Sequence, residues 1–223
     1  MLQKLLYGHQ DDTQTNYDAV RYSFMLTAVA IVHFIFMVIF YIMGVTVMGV
    51  YNTATVIMYV YLSRVVSNIK LWGRLFYTML AEVVIHSCLS TLFVGWDFGF
   101  MFYLVSLIPV SFYLTFSITA LKRKLVYPFV TSGIVFAAYM IMRGITYGIE
   151  PLAGKMLFVP EVFLYYMNLI IGLGTTFLFS ALFAVEVNSM QLKMESEQER
   201  LEDEASYDPL THFLNRRKWV RGS

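Results

Sequence analysis

The sequence predicts an all-α fold: a polytopic membrane bundle of six transmembrane helices followed by a charged coiled-coil helix. Three observations predict it. Hydrophobic residues make up 58% of the 223 and charged residues only 14%, whereas soluble domains carry about 25% charged residues. Mean hydropathy is +0.63. Six apolar runs each approach the ~20 residues needed to cross a bilayer, and the composition changes abruptly once, from FLFSALFAVEV to NSMQLKMESEQERLEDEAS.

Residues 1–21 contain Lys4, Asp11, Asp12 and Asp18 and lack the apolar core and small-residue cleavage site of a signal peptide. They are expected to stay on the chain as an N-terminal segment. Leu2, Leu5 and Leu6 form either one greasy turn on the membrane or part of a frayed tail. The apolar runs fall at 22–43, 50–68, 75–95, 99–121, 125–146 and 162–186. Each must be helical, because backbone groups in lipid need partners within their own segment. Short links, Trp96-Asp97-Phe98 and Lys122-Arg123-Lys124, make sequential helices antiparallel neighbours. The second run is the poorest, since Ser63 and Arg64 shorten it and the arginine must snorkel. The segment 147–161 holds two prolines and two glycines and is expected to lie over the outer mouth of the bundle.

Basic residues set the orientation. Lys4, Arg21, Arg64, Lys70, Arg74, Lys122, Arg123 and Lys124 fall on one side, and only Arg143 and Lys155 on the other. The positive-inside rule therefore puts the N-terminus in the cytoplasm. An even number of spans returns the tail, with Lys193, Arg200, Arg216, Arg217, Lys218 and Arg221, to the same side. Cys88 stands alone, so no intrachain disulfide framework exists.

In residues 187–207, Val187, Met190, Met194 and Leu201 occupy heptad a and d positions, with Glu197 and Glu204 also at d. The imperfect seam leaves two readings: a solvated helix, or a parallel pair poised between registers. Pro209 ends the helix near Tyr207, and Asp208 or Thr211 then caps a new helix carrying Phe213 and Leu214.

The stretch LEDEASYDPLTHFLNRRKW resembles the opening of GGDEF domains, the diguanylate cyclases of bacterial signalling. Leu201, Glu202, Ala205, Asp208, Leu210, Thr211, Asn215, Arg216 and Arg217 match that family's pattern in register, while His212 stands where the family usually has glycine. The resemblance covers about the last 20 residues, and the family's defining loop and metal-binding carboxylates are missing from the sequence. It therefore implies a fragment without catalysis of its own. The expected layout is a six-helix sensor domain (22–186), a signalling helix (187–207) and the start of a truncated GGDEF domain (208–221), with Gly222-Ser223 as an expression scar. The parent would condense two GTP into cyclic di-GMP with Mg²⁺, as a homodimer joined through the signalling helix, in a bacterial inner membrane with both termini cytoplasmic. Signal transmission would run through Glu186, Met190, Met194, Leu201, Asp208, Leu210, Thr211, Asn215 and Arg216. No nucleic-acid partner is expected.

Ionisable groups inside apolar spans are costly unless paired, which makes each a functional candidate. His33 and His86 each lie about eleven residues into their spans, near the bilayer midplane at ~1.5 Å per residue. Glu82 precedes His86 by one helical turn on the same face. Three readings follow: haem or metal ligation by the two histidines with Glu82 behind one ring, a polar pocket for a small ligand, or interhelical hydrogen bonding that fixes the bundle. Tyr59, Tyr103, Tyr113, Tyr139 and Tyr166 supply hydroxyls for a cavity suited to a hydrophobic or amphipathic molecule. Pro109 is expected to open space in the fourth helix, and Gly172 and Gly174 to allow close contact in the sixth. Asp97, Arg143, Glu150 and Glu161 are expected at the outer surface, solvated or in exposed ion pairs. Two rivals to a sensor remain: a transporter, against which the absence of paired helix-breaking repeats argues, and a plain membrane anchor and dimeriser.

Overall fold

A computed structural model describes the backbone of residues 2–66, 68, 71–117, 124–154 and 161–206, and their side chains from residue 19 onward, Arg21 excepted. The described secondary structure is all-helical: α1 (Leu2–Ile42), α2 (Thr46–Val65), α3 (Trp72–Val94), α4 (Phe102–Ser117), α5 (Val126–Thr146) and α6 (Glu161–Ser206), with a 3-10 turn at Trp96–Phe98. Two compact units divide the chain, Met1–Ser180 and Ala181–Ser223.

Among the described residues, four helices are long and apolar enough to cross a membrane: Tyr22–Ile42 within α1, then α3, α5 and α6. These correspond to the first, third, fifth and sixth expected runs. The other two differ from expectation. α2 starts at Thr46 rather than 50, and its Asn52, Thr53, Thr55, Ser63 and Arg64 dilute its hydropathy. α4 is apolar and covers 16 described residues, beginning only at Phe102 because the chain spends Gly95–Met101 on a tight corner. The N-terminal segment also differs, being helical from Leu2. Once a buried span supplies the nucleus, each added residue gains a hydrogen bond without a further nucleation cost.

The α1–α2 hairpin is closed by backbone chemistry. Gly44 takes φ 76°, Val45 N–H donates to Phe40 O at 2.9 Å and Gly44 N–H to Tyr41 O at 3.2 Å. This is a Schellman ending, which satisfies carbonyls the helix leaves orphaned and requires a left-handed residue. At the far end of α2, Trp72 Nε1–H donates to Val66 O at 2.7 Å. Residues after α5 pack onto the end of α3: Leu152 and Ala153 N–H groups donate to Leu92 and Phe93 carbonyls, both at 3.0 Å. These acceptors belong to the last helical turn and have no partner within it.

One hydrophobic core cluster among the described residues gathers Phe36, Phe40, Met43, Val45, Met48, Val94, Phe98, Phe100 and Leu164. It lies where the α1–α2 hairpin meets the α3–α4 corner. α3 is the central helix, with 44% of its span buried against 17% for α5. Outward faces carry Phe24, Phe129, Phe136 and Ile170, all more than 60% exposed. Contiguous apolar exposure of this kind is what a lipid-facing surface requires.

α6 is fixed to the α3–α4 corner by Asn168. Its Nδ2–H donates to Phe98 O at 2.7 Å and its Oδ1 accepts from Tyr103 OH at 2.8 Å. One turn on, Gly172 lies so close to α4 that a Cβ there would stand 2.7 Å from Phe102 Cβ, and Ser106 Oγ–H donates to Gly172 O at 2.8 Å. Here, as the sequence predicts, a small residue admits close packing; Gly174 has open space instead.

In the second unit, residues 181–206 are helical on both sides of Glu186. Met194 and Leu201 are exposed, Val187 is 37% exposed and Met190 half-buried. Asp208, Leu210, Thr211, Asn215 and Arg216 lie outside the described residues, as do Lys122, Arg123 and Lys155.

Candidate functional site

Three helices bring a polar cluster into the apolar interior. α1 contributes His33, α2 Tyr51, Asn52, Thr55 and Tyr59, and α3 Glu82 and His86. On α2 the positions 52, 55 and 59 share one face because side chains three and four apart stack on a helix. Asn52 and Tyr59 are fully buried, with His33, Glu82 and His86 nearly so.

Glu82 is the hub. Its Oε2 accepts from Tyr59 OH at 3.0 Å and its Oε1 from Tyr51 OH at 3.2 Å. Thr55 Oγ1 lies 3.5 Å from Oε1 but 3.1 Å from Tyr51 O, so its single proton belongs mainly to the backbone. His33 Nε2 stands 3.2 Å from Glu82 Oε2. The ring is held face-on by Tyr59, centroids 5.5 Å apart at 19°, and edge-on by His86 at 4.7 Å and 81°.

The proton inventory follows from Asn52. Its Nδ2–H donates to Met48 O at 2.8 Å, which leaves Oδ1 to face His33 Nδ1 at 2.9 Å. Oδ1 only accepts, so Nδ1 carries a hydrogen. A neutral His33 would then present a lone pair from Nε2 to the carboxyl. The 3.2 Å contact therefore holds one proton, either on the ring as imidazolium facing carboxylate or on the carboxyl facing a neutral ring. Either form is neutral overall, as an apolar interior demands.

Both ring nitrogens of His33 have polar neighbours, Nδ1 facing Asn52 Oδ1 and Nε2 facing Glu82 Oε2. His86 is different. Its Nε2 reaches Ser90 Oγ only at 3.5 Å, and the ring is otherwise packed among Phe36, Phe40, Tyr51 and Phe100.

A cavity of about 290 Å³ adjoins the cluster between α1, α3, α4 and α6, and His33, His86 and Tyr103 line it. Its remaining wall is almost wholly apolar, including Val32, Met79, Leu107 and Ile171. Pro109 lies within α4 beside the lining residue Val110.

Of the residues singled out from sequence, His33, Glu82, His86 and Tyr59 converge, and Tyr103 borders the cavity. Tyr113 is buried and edge-on to Phe179, a lining residue, at 5.4 Å. Two others stand elsewhere. Tyr139 packs edge-on to Trp96 at 5.2 Å, and Tyr166 is 56% exposed on α6. Arg143 is exposed and lies over Trp96, 4.9 Å from the ring centroid, and over Tyr147 at 5.8 Å, a cation–π arrangement. Sequence reasoning missed Asn52, Tyr51 and Thr55. The signal was present: an asparagine, a threonine and a tyrosine spaced along one face of an otherwise apolar run. No protein-family model, curated protein or solved structure matches the chain.

Proposed function

We propose that the chain is the membrane-embedded receptor part of a signalling protein, in which occupancy of the cavity between α1, α3, α4 and α6 regulates a cyclase domain beginning at Asp208. The observation that carries this reading is the cavity itself, with paired polar groups at one end and α6 as one wall. A molecule in that position touches the helix that leads toward the tail, so a change in α6 packing is a direct consequence of binding. Signalling then requires that the ligand bind one packing better than the other. All six helices cross the bilayer in this reading, with both termini on the cytoplasmic side of a bacterial inner membrane. α2 is tolerated there because its polar face is turned onto Glu82 and His33. The exposed apolar positions of residues 187–201 pair with a second copy in this reading, and the resemblance of nine residues to the GGDEF opening supports GTP, Mg²⁺ and cyclic di-GMP chemistry in the parent protein.

The test appends a complete GGDEF domain in the register of Leu201–Arg217 and measures cyclic di-GMP formed in membranes. Filling the cavity with Val83→Phe, at a lining position on α3, is expected to change output severalfold, whereas replacing residues 22–180 by an unrelated dimerising anchor should fix output at one level. Identical output from all three would reduce the bundle to an anchor.

A further inference from the structure

The chemistry of the cavity narrows its ligand, an inference that rests on the receptor reading above. Among the polar side chains that line it, three have their donors committed to protein acceptors within 3.2 Å: His33 to Asn52 and Glu82, Tyr103 to Asn168, and Ser106 to the Phe102 and Gly172 carbonyls. His86 reaches only Ser90, at 3.5 Å, so its imidazole retains the capacity to bond something in the cavity. Thr175 is a further hydroxyl, on the α6 wall. The rest of the lining is apolar.

Size and shape set a second limit. The volume of about 290 Å³ is roughly twice the ~150 Å³ of an engineered cavity that holds one benzene, enough for on the order of a dozen heavy atoms. Lining residues on α1 run from Phe24 to Phe36, about 18 Å of helix, so the space is longer than it is wide. Charge sets a third. The His33–Glu82 pair is neutral as a unit, and a ligand bringing an unpaired charge into this apolar site would meet a desolvation cost with nothing to offset it.

We propose that the cavity binds a neutral amphipathic molecule of about a dozen heavy atoms, with one hydrogen-bonding group seated on the His86 imidazole and an apolar body lying along α1 toward Phe24. Medium-chain alcohols and small lactones belong to this class; a fatty-acid carboxylate and a pure hydrocarbon do not. A phospholipid acyl chain entering from the bilayer shares the apolar body but brings no head group to His86.

The experiment uses the whole chain in lipid nanodiscs with a diazirine-bearing decanol as photoprobe, mapped by peptide mass spectrometry. Labelling is expected on α1 between Phe24 and Phe36 and on α4 near Leu107. Unlabelled decanol should compete, with decane and decanoate far weaker. His86→Phe keeps the aromatic packing and removes the bond, and should weaken decanol competition about three- to tenfold, the worth of one hydrogen bond. His86→Gln should restore part of it, and Val83→Trp should abolish labelling by filling the space. Equal competition by decane, an unchanged His86→Phe, or labelling confined to outward residues such as Phe129 and Phe136 would overturn the proposal. A phosphatidylcholine carrying the diazirine on its acyl chain should label those outward residues, and labelling of the cavity by it would assign the space to bilayer lipid. The receptor reading fails separately: decanol bound at His86 while the appended cyclase ignores every bundle variant would sink the receptor and leave the site.

Discussion

Two acid–base clusters in this molecule use the same atoms to different ends. In the bundle, His33 and Glu82 meet at 3.2 Å with side chains 5% and 7% exposed. In the tail, Arg200 bridges Glu197 at 2.6 Å and Glu204 at 2.5 Å, all three more than half exposed. The tail contacts are the shorter, yet water stands ready to replace each of them, and exposed pairs contribute little. Around Glu82 nothing replaces a lost partner. Tyr51 and Tyr59 would each be left with a donor aimed at hydrocarbon, and His33 with an unpartnered ring nitrogen. What an ion pair is worth is set by what takes its place when it is broken, and distance alone is a poor guide.

The largest effect follows from that contrast. Glu82→Leu removes the shared acceptor and is expected to cost about 3–5 kcal/mol, the range for breaking a buried pair from one side, read as a lower midpoint in thermal or SDS-driven unfolding of the chain in nanodiscs. Glu82→Gln keeps an amide oxygen for the tyrosines and should cost less than half as much. Tyr59→Phe deletes one interhelical hydrogen bond and should cost about 0.6 kcal/mol, typical of such bonds in membranes. If Glu82→Leu proves no worse than Tyr59→Phe, the cluster is wet and its burial is overstated.

A middle range of effects belongs to the α6 attachment. Asn168→Leu removes both the bond to Phe98 O and the one from Tyr103 OH, with an expected loss of about 1–2 kcal/mol. Gly172→Ala forces a methyl against Phe102 and should cost about 1–3 kcal/mol as overpacking. Gly174→Ala, with open space around it, is the control and should be neutral or slightly stabilising. Equal behaviour of the two alanines would remove the close contact between α6 and α4.

The sequence was informative where a residue's cost is local and less so where its partner is remote. A histidine or glutamate in an apolar run demands a partner, and equal depth along two spans was enough to bring His33, Glu82 and His86 together on paper. The four strongly apolar spans were readable for the same reason, since every residue in them votes for lipid. Asn52 was passed over because an asparagine is cheap enough to sit in a run unnoticed, although it fixes the His33 tautomer. Asn168 and its bonds to Phe98 and Tyr103 join positions about 65 to 70 apart in the chain, a juxtaposition that periodicity cannot supply. Tyr139 and Tyr166 show the converse. Counting tyrosine hydroxyls identifies the donors available to a cavity, but the rotation of each helix decides which hydroxyls face it.

The smallest expected effect completes the comparison. The hydrogen bond from Arg200 holds the Glu197 carboxyl below the usual carboxylate range. A lowered folded-state value means that the contribution is fully present above the ordinary carboxylate pKa of about 4.3 and fades as pH falls through the lowered one. Hydrogen exchange of the whole chain, corrected for intrinsic rates, should show amides near Glu197–Glu204 exchanging slightly faster as the solution is taken well below that ordinary value, with added salt blunting the difference. Arg200→Ala should abolish this pH sensitivity and leave the amides of α3 unchanged. A tail that resists acid and salt as firmly as the bundle would mean that its charged face is covered, and the contrast between the two clusters would then reduce to one of sequence spacing.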